Sequence, residues 1–416
     1  MTSNPDRKLR VLFINDTARN GGPGRTLYTI LKDLDTSVVH RGVVLPRPGV
    51  VSELLERTGV VDALHFEPGI LENVAEPWDR SLVRDDLSAP WWVKGTRASG
   101  NVFRAIAGFS RLCRLVKSEK TDVVFCNGTT ANFVGALLGQ ATGVAVVWHV
   151  FYSTLAKPLI PLHGRLARSS SVKSILCVSK PVSHFFNGLH KVSIVHDAID
   201  ASEYAPNVVP PKLRNELGID ESHHIIGTYG RVLPRKGFIE FLRAAERVIA
   251  LSNESEREKL HFVVIGDTPE DAHPNHLQEC KALASQLGIS ERVHFLGFRS
   301  DIRPLLLDFD VAVVPSVYVD PLPRSVLEAM TSAKPVVAFD VGGIPEMIEH
   351  DRTGTLVRGT PPDFDGMAMA ILRYVRDAKT ARMHGQAGRA RILREFDGVP
   401  HAARIQRELE RARNMA

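Results

Sequence analysis

The feature that most constrains this chain is a recurring unit: a short apolar run, a glycine- or proline-bearing loop, then a helical pattern. Residues 9–14 form the first such run, and they lead directly into a loop carrying Gly21, Gly22, Pro23 and Gly24 before a helical stretch at 25–34. Continuous rather than alternating hydrophobicity marks a strand buried on both faces, as in a parallel sheet covered by helices. Further strands are expected at 41–45, 63–66, 122–125, 145–148, 174–177 and 192–195, with the clearest helices at 102–118 and 130–140. The series starts afresh at 224–229 and continues through 261–265, 293–295, 311–314, 335–339 and 354–357. Such alternation predicts an α/β chain of two doubly wound, Rossmann-like domains.

Length supports two domains, because 416 residues exceed the size at which a single core keeps growing. The composition turns linker-like around Asn207, Pro210 and Pro211, which places the expected boundary between residues 1–207 and 208–397. The Arg-rich terminal helix, 398–416, is expected to pack back on the first domain. Ligands of open α/β sheets bind outside the carboxyl ends of the strands, and a crevice between two such domains is a natural site.

Candidate chemistry sits at those strand ends. The strand at 224–229 runs into Arg231, Arg235, Lys236 and Gly237, just ahead of another helix. An arginine fork with a lysine point charge beside a helix N-terminus suits a diphosphate; plain surface cations are the alternative. The strand at 311–314 ends in a Pro-rich loop bearing Asp320, with Glu328 on the helix behind it. Two carboxylates at one edge suit hydroxyl recognition, or else are a helix charge and a solvated aspartate. His149 follows the strand 145–148, either as a satisfied core residue or as a partner for a sugar hydroxyl. The Gly21–Gly22 turn reads as an anion cradle or as ordinary loop chemistry. Asp308–Asp310 precedes its strand and Asp363–Asp365 opens a helix, so neither pair is read as a metal site.

Net charge is +5, a basic balance that favours anionic ligands such as nucleotides, lipid phosphates or anionic glycans. No basic run interleaves with aromatics, so nucleic acid is not expected. The four cysteines are scattered without metal-ligand spacing, as in a reducing compartment. The first residues show no apolar signal core, and no apolar run reaches membrane-spanning length. Trp78, Trp91 and Trp92 fall in a long segment at 67–100, read either as a satellite cluster or as an acceptor or membrane-interface platform. The segment 152–172 carries Lys157, His163, Arg165 and Arg168, and is open to a solvated face, an anionic acceptor or peripheral membrane contact.

Taken together the pieces resemble the retaining nucleotide-sugar glycosyltransferases of the GT-B fold, in their family-4 group. The resemblance covers nearly the whole chain and is strongest from Ile225 to Val357. Its hallmark, a Glu followed after seven residues by a second Glu-Ala-Met, here reads Asp320 and Glu328–Ala329–Met330. Gly230–Arg231, Arg235–Lys236–Gly237, Ile265–Gly266–Asp267, Phe295–Leu296–Gly297 and Gly342–Gly343 also match, in order.

The resemblance implies a role for each matching position. Arg231 and Lys236 would hold the diphosphate, with Gly21 and Gly22 approaching it. Glu328 would bind the ribose, Asp320 and His149 the transferred sugar, and Phe298 or Arg299 would flank the base. Leu322, Arg324 and Ser325 would offer amides, Arg324 also its charge. It further implies no metal or other cofactor, a glycan, lipid-linked or small-molecule acceptor, polysaccharide or glycoconjugate biosynthesis, and a cytoplasmic site, including the inner membrane face. Asp320 stands where the family has Glu, and Pro323 where it commonly has Gly, which removes a backbone donor. This loop is where donor choice, and any loss of activity, is expected to be decided. A nucleotide-sugar epimerase of related architecture and a catalytically silent binding homologue are the competing expectations.

Overall fold

The computed structural model describes residues 7–19, 21–72, 91–269 and 275–415, with backbone alone at 91–102. The chain forms two units. The first comprises residues 1–198 and 398–416, the second 199–397.

In the first unit seven strands form one parallel sheet in the order β3-β2-β1-β4-β5-β6-β7: β1 Leu9–Asn15, β2 Val39–Leu45, β3 Ala63–Phe66, β4 Val123–Asn127, β5 Ala145–Val150, β6 Val172–Cys177 and β7 Val192–Ile194. Five helices connect most of them: α1 Gly22–Asp33, α2 Val50–Thr58, α3 Trp91–Ser118, α4 Thr129–Thr142 and α5 Ile160–Ala167. Helix α1 starts three residues before the expected stretch. Pro23 in its first turn presets φ where an amide donor has no intrahelical use, so the Gly-rich turn itself becomes helix. Helix α3 begins at Trp91, immediately after Pro90, so the irregular segment expected at 67–100 is helical from residue 91. Trp78 lies outside the described residues, as do the side chains of Trp91 and Trp92. The terminal helix Gly398–Asn414 buries Ile405, Leu409 and Ala412 in the core that holds Leu27, Ile30 and Leu31 of α1.

The second unit holds six parallel strands in the order β10-β9-β8-β11-β12-β13: β8 His224–Tyr229, β9 Leu260–Ile265, β10 Val293–Phe295, β11 Val311–Val314, β12 Val336–Phe339 and β13 Thr355–Val357. Phe238, Phe241, Phe262, Phe309 and Phe339 are fully buried there. Gly227 sits mid-strand because a Cβ would fall 2.0 Å from the Phe309 ring. The unit starts at Ile199, ahead of the Pro-rich stretch at 207–211. The Ile199 amide donates to the Phe396 carbonyl at 3.0 Å, and Ala201 and Tyr204 are buried in this unit, so residues 199–206 are bound in rather than linking.

Candidate functional site

Three loops at the carboxyl edge of the second sheet are tied together by backbone. The Val232 amide donates to the Asp267 carbonyl at 2.9 Å, and the Gly266 amide to the Gly297 carbonyl at 2.8 Å. Lys236 closes a short helical turn, Pro234–Lys236, and Gly237 follows it at φ 77. A Cβ on Gly237 would lie 1.7 Å from the Pro315 carbonyl oxygen, so only glycine lets this turn press against the end of β11. The Val317 amide then donates to the Arg235 carbonyl at 3.1 Å.

That apposition brings the predicted cation and carboxylate into contact. Lys236 Nζ donates to Asp320 Oδ2 at 2.6 Å, and Ser316 Oγ donates to the same oxygen at 3.3 Å. The Asp320 side chain is 5% exposed and that of Lys236 23%. Burial works against the lysine charge, but the Asp320 carboxylate and its hydrogen bond prevail, and its pKa stands above the ordinary value. The Tyr318 ring receives Lys236 Nζ at 5.4 Å and the Arg235 guanidinium at 5.3 Å from its centroid. Asp320 is held through its main chain as well, since Gly343 donates to its carbonyl at 2.8 Å and Gly342 (φ 59) leaves no room for a Cβ.

Glu328 lies in the helix Arg324–Thr331, almost buried at 8% exposure. It accepts from the Tyr204 hydroxyl at 3.2 Å, and Arg324 Nε stands 3.9 Å from Oε1. Tyr229, whose own hydroxyl donates to the Ser325 carbonyl at 3.0 Å, has its pKa pushed far up by burial and then by the Glu328 charge. Pro323 is the residue before this helix, so the amides of Arg324 and Ser325 belong to its first turn, where N–H groups have no intrahelical acceptor. Leu322 is buried beside them. Arg231 is exposed just past β8, and Phe298 is 64% exposed. Arg299, expected beside a base, is instead ion-paired with Glu216. The two DxD-like motifs also have structural partners. Arg214 binds Asp308 through its amide at 3.0 Å and Asp310 through its guanidinium at 2.8 Å, and Asp363 caps a helix by accepting from Gly366 at 2.9 Å.

The first unit carries a second constellation. Parallel register sets Asn15, Asn127 and His149 side by side on β1, β4 and β5. Asn127 Nδ2 donates to Asn15 Oδ1 at 2.6 Å and to the Pro23 carbonyl at 3.0 Å, which anchors the Gly21–Gly22 turn to the sheet. With that amide nitrogen donating, Asn127 Oδ1 is the acceptor for His149 Nδ1 at 2.9 Å. The tautomer assigned by this network leaves Nε2 unprotonated. His149 is wholly buried, and its Nε2 has no hydrogen-bond partner among the described residues. Burial, foremost, pushes its pKa down to about 4, so the ring is neutral at pH 7. The structure therefore encloses His149 rather than presenting it at an open surface. His401, from the terminal helix, lies with its ring centroid 6.5 Å away, and its Nε2 likewise has no partner among the described residues. No periodicity singled out Asn15, Asn127, Tyr204, Tyr229 or His401. Asn15, Asn127 and Tyr229 end strands, which was their only signal; Tyr204, in a turn, and His401, in the terminal helix, carried none.

Comparison with known proteins agrees with this layout. Residues 210–391 match the family model of glycosyl transferases group 1. The UDP-Gal:alpha-D-GlcNAc-diphosphoundecaprenol alpha-1,3-galactosyltransferase of Escherichia coli is 24% identical over 337 residues, 77% of this chain and 84% of that protein. The alpha-maltose-1-phosphate synthase of Mycolicibacterium smegmatis is 33% identical over 217 residues, but the match spans only 53% of its length. Among solved structures, HepE from Anabaena in complex with UDP superposes with a TM-score of 0.76 at 21% identity, over 97% of this chain and 100% of that one. Sucrose-phosphate synthase from Thermosynechococcus elongatus gives 0.74 at 16% identity, over 99% and 100%. The chain thus has the GT-B fold, and residues 210–391 of its second unit resemble the glycosyl transferases group 1 family.

Proposed function

We propose that this protein transfers a hexosyl group from a nucleoside-diphosphate sugar to a glycan or lipid-linked acceptor, with retention at the anomeric carbon. The observation that carries the reading is the Lys236–Asp320 contact at 2.6 Å. An ammonium has three N–H donors, and Asp320 takes one, so diphosphate oxygens can share the same Nζ with the carboxylate. A sugar hydroxyl donating to Asp320 would then sit next to its own leaving group. Charge that develops on the diphosphate as the glycosidic bond breaks is met by Lys236, by exposed Arg231 and by the first-turn amides of Arg324 and Ser325. No protein nucleophile is assigned and no metal is required in this reading.

Glu328 takes the ribose hydroxyls, with Tyr204 fixing its carboxylate. His149, enclosed in the first unit, is given no contact with the donor in this scheme. Phe298 offers an exposed ring for the base, whereas Arg299 would first have to leave Glu216. The complexes of HepE with UDP and with UDP-glucose favour uridine donors for a first screen.

The test is a thermal-shift screen of the full chain with UDP, GDP, ADP and their hexose conjugates, followed by product NMR. One nucleoside diphosphate should raise the midpoint, because only ligand bound to the folded state does so. The product should carry the donor's anomeric configuration. No shift with any nucleotide would overturn the donor site; an inverted product would overturn retention. A donor epimerised without acceptor would establish the epimerase instead.

A further inference from the structure

Charge is unevenly distributed along the chain. Residues 87–196 hold thirteen of the 52 Lys and Arg but only two of the 47 Asp and Glu, a net +11, so the remainder of the molecule carries −6. Even those two acids are occupied: Asp122 by Arg7 and the Arg10 amide, and Glu119 by Arg10. Helix α3 spans 28 residues without one carboxylate.

The fold puts the helices of this segment on one side. The connections through α3, α4 and α5 all step in the same direction, from β3 to β4, β5 and β6, so right-handed crossovers put these helices on one face. Helices α1 and α2 belong to steps in the opposite direction and cover the other face. Neighbours in the layer touch, α3 on α4 and α4 on α5. Glu67 clasps α3 by accepting two hydrogen bonds from Arg111, each 2.8 Å, and Gly69 meets the backbone of Arg104 and Gly108 so closely that no Cβ fits. With Leu112 and Val116 turned inward, the stripe left facing outward is Phe103, Ile106, Ser110, Arg114 and Lys117.

Apolar and cationic groups are both exposed on this layer. Phe103 is 78% and Ile106 62% exposed on α3, Leu137 42% on α4, and Ile160 and Leu162 45% each on α5. Exposed Arg114, Lys117, Arg165 and Arg168 stand among them. Apolar side chains set in a field of cations match the two layers of an anionic membrane surface: acyl chains below, phosphates above. A nucleic-acid backbone would reward the cations but not the exposed aliphatic groups.

We infer that the α3–α4–α5 face of the first unit docks on an anionic lipid bilayer, with Phe103, Ile106, Ile160 and Leu162 entering the headgroup region and the cations at the phosphates. The inference does not depend on the transfer chemistry, and no helix is long and apolar enough to cross a membrane among the described residues.

The experiment is sedimentation of the full chain with vesicles of pure phosphatidylcholine, and of phosphatidylcholine with one quarter phosphatidylglycerol. Binding is expected to the anionic vesicles only, and to fall as salt is raised. Arg114→Gln with Lys117→Gln should lower partitioning about fivefold per charge. Phe103→Ser with Ile106→Ser should lower it at least about tenfold. Circular dichroism confirms that both variants, altered only at exposed positions, remain folded. Absence of binding, or equal binding to both vesicle types, overturns the inference. So does competition by duplex DNA combined with indifference to the Phe103/Ile106 change, which would assign the face to nucleic acid. The vesicle assay uses no nucleotide, so a negative result leaves the donor screen untouched, and the converse holds.

Discussion

Replacing Lys236 with Met separates two roles that the Lys236–Asp320 contact combines. At 2.6 Å and an effective dielectric of about 20, the Coulomb attraction reaches roughly 6 kcal/mol, an upper bound from which desolvation subtracts. Deleting the cation alone leaves Asp320, 5% exposed, with only the weak Ser316 hydroxyl contact at 3.3 Å. An uncompensated buried charge of this kind costs about 3–5 kcal/mol, and the partly exposed lysine argues for the lower end. For a unit of this size the midpoint should fall by about 6–12 °C. All four tryptophans lie in the first unit, so tryptophan fluorescence follows that unit, and circular dichroism transitions absent from fluorescence report the second. Adding Asp320→Asn should restore stability to within about 1 kcal/mol of the parent, since neither charge then remains. Donor binding should stay weakened in the double variant, by about 30-fold or more for one charge-assisted contact. A Lys236→Met loss below about 1 kcal/mol, or no rescue by Asp320→Asn, would refute the coupling. Recovery of nucleotide affinity in the double variant would show that Lys236 only neutralises Asp320.

Three further outcomes are expected. Gly237→Ala places a Cβ 1.7 Å from the Pro315 carbonyl at φ 77, so it should lower the second unit's stability by more than about 1 kcal/mol and weaken nucleotide binding, read by calorimetric titration. Glu328→Gln keeps volume but removes the charge, and should reduce nucleoside affinity about tenfold while sparing binding of inorganic pyrophosphate. Acid should weaken the first unit. His149 has a folded pKa of about 4 against 6.5 for the ordinary group, so between those values the unfolded chain binds the extra proton, and stability is full above about 6.5 and falls towards pH 4. The loss reaches up to about 3 kcal/mol, followed by the fluorescence of Trp148; a His149→Asn variant with the same acid sensitivity would assign the effect elsewhere.

Much of the second unit's candidate site could be read from the chain because its residues are local to loops that glycine and proline announce. Arg231, Lys236, Asp320 and Glu328 each follow a strand that apolar runs reveal. Arg299 shows where that reading stops, because its partner Glu216 is remote in sequence and no local pattern points to it. His149 was visible as a strand-end histidine, but whether it faced solvent or core depended on neighbours that hydrophobicity alone does not specify.

By itself the sequence determined two parallel α/β units, their strand positions and the loops that bear charge, since those follow from short-range periodicity and turn chemistry. Only the tertiary structure decided the pairings. Lys236 meets Asp320 across 84 residues because β8 and β11 are sheet neighbours and Gly237 has no Cβ. Asn15, Asn127 and His149 align because strand register, not spacing along the chain, sets which residues share an edge. Tyr204 reaches Glu328 because the residues before the Pro-rich stretch fold into the second unit, and the terminal helix brings His401 beside His149 in the first. Long-range contacts of this kind arise from burying many apolar surfaces at once, a cooperative choice that no local window of sequence contains.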